Sequence, residues 1–279
     1  MAKHVSYSRL AGAVIAMKTL IRALLKKVDI GIMDYANLQR LVENSEARDK
    51  DARAQSDIEF LLRLSDVLIP ILLRNLRKSK SELRQDLFAL SELNLKKNGY
   101  FVEFGATNGV TFSNTYLLEK EFGWTGILAE PAECWHGELK RNRNCHIETR
   151  CVWSNSDSIL NFNEVDIAAL STIDDFSSND LHKMSRTNGK KYEVRTISLL
   201  DLLDHHGSPR EIDYLSIDTE GSEFAILANF DFKKYEFKVI TCEHNFTPMR
   251  EKLHNLLTSH GYVRKYEDIS RFDDWYVRA

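Results

Sequence analysis

Phe101-Val102-Glu103-Phe104-Gly105-Ala106-Thr107-Asn108-Gly109, with Glu130 standing 27 positions after Glu103 in Gly126-Ile127-Leu128-Ala129-Glu130-Pro131, is the stretch that decides the fold. An apolar strand runs into a glycine-containing turn and a helix start, and an acid waits at the tip of the next strand. α/β folds hold a nucleoside-bearing cofactor in this way.

Working outward, the pattern predicts strands at Tyr100–Phe104, Gly126–Ala129 and Cys145–Trp153, with helices over Ser113–Phe122 and Ala132–Asn142. A hairpin-like insert follows at Ile159–Asn163, then a polar stretch from Ser171 to Lys191 that reads as a loop or lid. Beyond it come a helix over Ile197–His205, a strand at Ile212–Ile217, a helix over Ser222–Asn229, a strand at Val239–Glu243 and a helix over Arg250–His260. Tyr262–Tyr266 and Trp275–Val277 lie too close together for a helical crossover and predict an antiparallel edge. Short apolar strands alternating with helices mean an α/β fold: a mostly parallel sheet with helices on both faces.

Residues 1–98 read differently, as an amino-terminal helical segment. Leu10, Val14, Met17, Ile21, Leu24 and Val28 recur at steps of four and three along one helix face, and no acid precedes Asp29. Such a basic amphipathic stripe packs on a neighbouring helix or a second copy of the chain, or makes peripheral contact with an anionic membrane. Glu43 to Asp57 is dense in both charge signs, a solvated helix or connector. Ile58 to Leu76 reads as one apolar helix, and Ser79 with Glu82 as the capping box of the next, which Asn98-Gly99 ends. The division expected is therefore 1–98 as a lid or oligomerisation segment and 99–279 as the catalytic domain.

Composition narrows the function. Net charge is −3, split as +6 over residues 1–98 and −9 over residues 99–279. A phosphate backbone would be repelled by so acidic a domain, which counts against nucleic acid as a partner. No apolar run reaches the roughly 18 residues of a membrane span. Four cysteines without a C-x-x-C pair suggest reduced thiols and a cytoplasmic setting.

The turn after the first strand offers Gly105, Ala106 and Gly109, where backbone amides can approach a ligand closely. The G-x-G-x-x-G spacing of nicotinamide-dinucleotide enzymes is absent, which points instead to S-adenosylmethionine (SAM). Glu103 would receive the cofactor ammonium or an ordered water; the alternative is a core acid paired with an arginine or a backbone amide. Glu130 would accept the ribose hydroxyls, with Pro131 stiffening its turn.

A third motif, Asp213-Tyr214-Leu215-Ser216-Ile217-Asp218-Thr219-Glu220-Gly221-Ser222-Glu223, delivers Asp218 to the carboxyl end of a strand, and Glu243, His244 and Asn245 sit at the end of another. Two chemistries suit this cluster. In one, Asp218, Glu220, Glu243 or His244 removes the proton of a hydroxyl as it attacks. In the other, Asp218, Glu243 and Asn245 hold a divalent ion such as Mg2+. The base ranks above the metal. In the bland alternative, Glu220 and Glu243 cap helices or pair with Arg250. Trp124, Trp135, Trp153 and Trp275 read as core or rim, and His205-His206 as residues that meet a helix end.

Taken in order, Phe101 to Ala106, Ser113-Asn114-Thr115, Leu118-Glu119, Gly123-Trp124-Thr125-Gly126-Ile127, Glu130-Pro131, Ile212 to Glu223 and Gly261-Tyr262 resemble the FkbM family of SAM-dependent methyltransferases, over roughly residues 80–279. The resemblance implies a class I methyltransferase (Rossmann-like) fold with a seven-stranded sheet, and O-methylation of a sugar, glycan or hydroxylated natural product. It further implies that Ser113 and Asn114 help seat the amino-acid end of SAM, that Cys151 and Val152 flank adenine, and that Gln85-Asp86 closes over the site. Thr107-Asn108-Gly109 departs from relatives that carry an acid before the glycine. The rival readings are a nicotinamide-dependent oxidoreductase and a non-catalytic scaffold on a cofactor-type fold.

Overall fold

A computed structural model of the chain describes residues 53–165, 170–176 and 186–279. The amphipathic stripe Leu10–Val28, most of the charged segment from Glu43 and the middle of the expected lid lie outside the described residues.

Helices α1 (Ile69–Asn75) and α2 (Gln85–Glu92) precede strand β1 (Tyr100–Phe104). Then come α3 (Tyr116–Phe122), β2 (Thr125–Ala129), α4 (Glu133–Asn142), β3 (His146–Glu148), β4 (Cys151–Trp153), β5 (Ile159–Glu164), β6 (Thr172–Ile173) and β7 (Lys190–Ser198). The chain finishes with α5 (Leu199–His205), β8 (Glu211–Ile217), α6 (Glu223–Ala228), β9 (Glu236–Glu243), α7 (Met249–Ser259), β10 (Tyr262–Lys265) and β11 (Asp273–Arg278).

Seven strands form one sheet in the order β10-β11-β9-β8-β1-β2-β3. Strands β3, β2, β1, β8 and β9 are mutually parallel, and β11 inserts antiparallel between β9 and β10. The expected parallel sheet with an antiparallel edge is the one observed. Strand order runs outward from β1 in one direction through β2 and β3, and in the other through β8 and β9. The reversal leaves a crevice at the carboxyl ends of β1 and β8, where open α/β sheets bind ligands.

Alternation along β1 divides the core. Val102 and Phe104 join one buried cluster with Ile127, Ala129, Leu202, Leu215 and Ile240. Phe101 joins the other, with Leu87, Phe88, Leu118, Trp124 and Trp275. Phe88 stacks on Trp275 at 4.7 Å between ring centroids. Residues upstream of β1 thus supply much of the second layer, and Ser56–Ala279 is one compact unit.

Several expected elements differ for identifiable reasons. The strand expected over Cys145–Trp153 is two: β3 ends the main sheet, and β4 opens a separate four-stranded sheet, β4-β7-β5-β6. The expected lid contributes β6 and the start of β7, paired to β5 in the register Phe162↔Ile173 and Phe162↔Tyr192. The expected helix from Ile197 begins at Leu199, capped by the Ser198 hydroxyl accepting from Asp201 N at 3.1 Å. The long helix expected over Ile58–Leu76 is broken, with Pro70 in the first turn of α1, a position where its missing N–H costs nothing. Ser79 does not cap a helix: its hydroxyl donates to the buried Asp86 carboxylate at 2.8 Å, and α2 starts only at Gln85. Among the described residues no helix is long and apolar enough to cross a membrane.

Candidate active site

The turns after β1 and β8 touch. Gly105 has φ +74°, and a Cβ there would stand 1.9 Å from the carbonyl oxygen of Asp218, so only glycine permits the approach. Above these turns opens a cavity of about 370 Å³. Its walls include Gly105 and Thr107 after β1, Glu130 and Pro131 after β2, Asp218 after β8 and Glu243 at the end of β9. Gln85, Phe162 and Ile173 enclose it further.

Glu103 is buried in β1 on the Phe101 face, where a carboxylate requires donors. Its Oε1 accepts from Asn114 N at 2.7 Å, and its Oε2 from the Ser113 hydroxyl at 3.0 Å and from the Thr115 hydroxyl. The fully buried Arg143 guanidinium stands 3.8 Å away, ion-pairs with Glu119 at 2.6 Å and donates to Gly109 O, Ser113 Oγ and Thr115 Oγ1. Burial pushes the Glu103 carboxyl up, while Arg143 and the hydroxyls pull it back only in part. These contacts are those of the alternative role, a core acid paired with an arginine and a backbone amide, although Glu103 also borders the cavity.

Three residues expected to touch a cofactor do not line the cavity. Ser113 belongs to the Arg143 knot, Ala106 is wholly buried in the core, and Gly109 packs on Arg143, whose Cγ a Cβ would meet at 2.6 Å. Asn114 does line it. Its amide nitrogen donates to Ser216 Oγ at 2.9 Å, and its Oδ1 is buried with no hydrogen-bond partner. Glu130 uses its oxygens to accept Thr107 N at 2.7 Å and Ala132 N at 2.8 Å, which fixes the carboxylate at the β2 tip; burial pushes it up to about 7. Cys151 and Val152 form an apolar wall, and burial pushes the Cys151 thiol up to about 12, leaving it unreactive. Gln85 lines the cavity and donates to Asp273 at 3.0 Å, whereas Asp86 lies behind it.

At the far end Asp218 and Glu243 bring carboxylate oxygens within 4.8 Å of each other. Burial raises both, Asp218 to about 7 and Glu243 well above the usual carboxylate range, the nearby Asp218 charge adding to the latter. A half-buried and a buried carboxyl this close keep one proton between them once the pH passes about 7. Glu220, held at φ +59°, completes a group of three carboxylates whose oxygens lie within 4.8 Å of one another. It is already paired, with the buried Arg186 at 2.7 Å and with Asn245, which donates at 3.2 Å. Glu223 braces the turn by accepting Thr219 N at 3.0 Å and Gly221 N at 2.9 Å.

His244 stands apart from this group. It is buried and does not line the cavity; its Nδ1 accepts Phe246 N at 3.0 Å, and its Nε2 lies 3.8 Å from Asp274. Burial holds its pKa below the ordinary value. Arg250 pairs with Asp274 and Glu267 rather than with Glu220 or Glu243. Sequence reasoning did not single out Arg143, Arg186, Phe112 or Phe246. The two phenylalanines are 52% and 64% exposed at the cavity mouth, both with φ near +60°.

The family model described as "Methyltransferase FkbM domain" matches residues 103–266. No curated protein matches the chain. Among solved structures, a precorrin-6y C5,15-methyltransferase from Geobacter metallireducens is 13% identical, with 69% of this chain and 85% of that one covered and a TM-score of 0.36. A TehB-like SAM-dependent methyltransferase from Corynebacterium glutamicum is 8% identical, with 75% and 96% covered and a TM-score of 0.36.

Proposed function

We propose, from the premise that this chain belongs to the FkbM methyltransferase family, that it uses SAM to methylate a hydroxyl of a sugar, glycan or hydroxylated natural product, with the Asp218–Glu243 pair as base. The observation that carries the reading is that pair: two carboxyls at the cavity wall with oxygens within 4.8 Å of each other, Asp218 being raised to about 7.

The residues present fit SAM. The unpartnered Oδ1 of Asn114 is a buried acceptor suited to an ammonium. Each Glu130 oxygen, having accepted one amide, keeps a lone pair for a ribose hydroxyl. Cys151 and Val152 offer an apolar wall to a purine. When bound, SAM supplies an electrophilic methyl carbon; what the chain contributes is position and proton removal. The pair carries one negative charge above about pH 7 and can accept the hydroxyl proton as the oxygen attacks, and a base with a pKa near the working pH is the most effective. A divalent ion would have to expel the shared proton and compete with Arg186 for Glu220, so the base is preferred to Mg2+. The four cysteines are free thiols, which supports a cytoplasmic setting.

The test is conversion of SAM to S-adenosylhomocysteine over sugar, glycan and phenolic acceptors, with and without chelator. Glu243→Gln should lower kcat on the order of 10² or more while SAM affinity by calorimetry stays within threefold. Full activity in Asp218→Asn and Glu243→Gln, or turnover abolished by chelator, would overturn the base.

A further inference from the structure

Away from the cavity, a second cluster sits where the core layer reaches the edge of the main sheet. Strand β3 is the edge strand, paired with β2 in the register Ile127↔His146 and Ala129↔Glu148. Ile127 and Ala129 belong to the same buried layer as Leu199, Leu202 and Leu203 of α5. His146 and Glu148 continue that face outward, and the end of α5 meets them with His205 and its C-cap His206. Apolar packing gives way here to imidazoles and a carboxylate.

One donor atom each from Glu148, His205 and His206 lie within 4.8 Å of one another. The His206 Nε2 is 3.8 Å from Glu148 Oε2, too long for a hydrogen bond, and is buried without any hydrogen-bond partner. The His206 ring stands 4.8 Å from that of His205 and 5.0 Å from that of His146. Three imidazoles crowded around a buried, unsatisfied nitrogen are costly as a purely structural arrangement. A metal ion satisfies all the donors at once.

We propose that Glu148, His205 and His206 bind a divalent transition-metal ion of the zinc class, with the His146 ring alongside His206. Bonds of about 2.0–2.2 Å in tetrahedral geometry place ligand atoms about 3.3–3.6 Å apart, so rotamer shifts of roughly 1.2–1.5 Å would close the site. A nitrogen-rich donor set suits zinc, nickel or copper over magnesium or calcium. Arg150 orients the Glu148 carboxylate, its backbone N and Nε donating to Oε1 at 2.9 Å each and its guanidinium to Oε2 at 2.6 Å, which leaves a lone pair on Oε2, the oxygen nearer His206. The ion staples an edge strand, otherwise paired on one side only, to the helix that covers it.

The test is calorimetric titration of chelator-stripped protein, free of any polyhistidine tag, with Zn2+ alone, alongside the visible spectrum of the Co2+ form. One ion per chain is expected, with tetrahedral cobalt bands and no thiolate charge-transfer band. His205 is exposed, so His205→Ala leaves the fold intact by circular dichroism while weakening binding at least roughly tenfold, as His206→Gln also should. Glu243→Gln, in the acid cluster of the cavity, should bind as the parent does. The proposal is overturned if Zn2+ does not bind by about 100 μM, if both histidine variants bind it like the parent, or if Glu243→Gln abolishes binding.

Discussion

Replacing Arg143 by methionine keeps most of the side-chain volume and removes a buried guanidinium that has Glu103 at 3.8 Å and Glu119 at 2.6 Å. Glu119 lies nearer the surface and can turn to water, but Glu103, in β1, cannot. Breaking a buried pair by deleting one partner costs about 3–5 kcal/mol. At roughly 2–4 °C per kcal/mol for a domain of this size, the midpoint of thermal unfolding should fall by about 6–20 °C. The loss depends on pH, with a sign that follows from Glu103. Its carboxyl is already raised by burial, and without Arg143, the strongest of the groups that hold it down, it rises further. A carboxyl whose folded-state pKa lies above the unfolded value of about 4.3 binds a proton preferentially when folded, so its contribution is present at low pH and is lost as pH rises through the folded value, by up to about 1.4 kcal/mol per unit. Arg143→Met should therefore be hurt less at pH 5 than at pH 8, by differential scanning calorimetry against the parent at each pH. Adding Glu103→Gln removes the stranded charge and should recover part of the loss. A drop under about 1 kcal/mol at pH 7.5, or a double variant no more stable than the single, would refute the reasoning.

Gly105→Ala forces a Cβ to within 1.9 Å of a backbone oxygen that cannot yield; a stability loss of about 3 kcal/mol or more and loss of SAM binding by calorimetry are expected. For the parent enzyme, kcat/KM should rise with pH through about 7, where Asp218 titrates, and level off above; Asp218→Asn should lose that limb and His244→Ala should keep it. Phe246→Ser, at a position 64% exposed, should change stability by less than about 0.5 kcal/mol, yet raise acceptor KM about fivefold if the ring contributes about 1 kcal/mol of contact to the acceptor.

The central sheet was legible because its strands are buried on both faces and read as continuous apolar runs: Tyr100–Phe104 and Ile212–Ile217 keep their boundaries almost to the residue. Strand β7 was missed for the opposite reason. Glu193 and Arg195 face solvent while Val194 and Ile197 are buried, and two lysines at its start carried the look of a loop as far as Lys191. Asp218, Glu130 and Glu243 were visible because strand tips are where α/β folds present side chains. Arg143 and Arg186 were not, since each meets its acid across 24 to 40 residues of sequence, and nothing in the local pattern separates a buried arginine from a solvated one. His244 shows the converse error: adjacency to Glu243 in sequence put it beside the pair, but successive residues at a strand end point to different sides, and the ring belongs with Asp274.

The placement of the two arginines bears on how such a cleft works. Among the described residues that line it there are six acids, Glu82, Glu103, Glu130, Asp218, Glu220 and Glu243, and no lysine, arginine or histidine. Arg143 and Arg186 offset two of these charges from outside the wall, and the shared proton removes a third. An acidic wall attracts a sulfonium: at an effective dielectric of 20, one carboxylate 6 Å from the cation is worth about 3 kcal/mol. That attraction favours the bound reactant, because the positive charge on sulfur disappears as the methyl group leaves, and stabilising the ground state more than the transition state slows the step. Neutralising acids from behind keeps their oxygens available as hydrogen-bond acceptors while limiting the field they exert. Within the proposed function, the carboxyl pair is then the one acidic feature whose charge assists the chemistry, since it gains the hydroxyl proton as the sulfonium charge is lost.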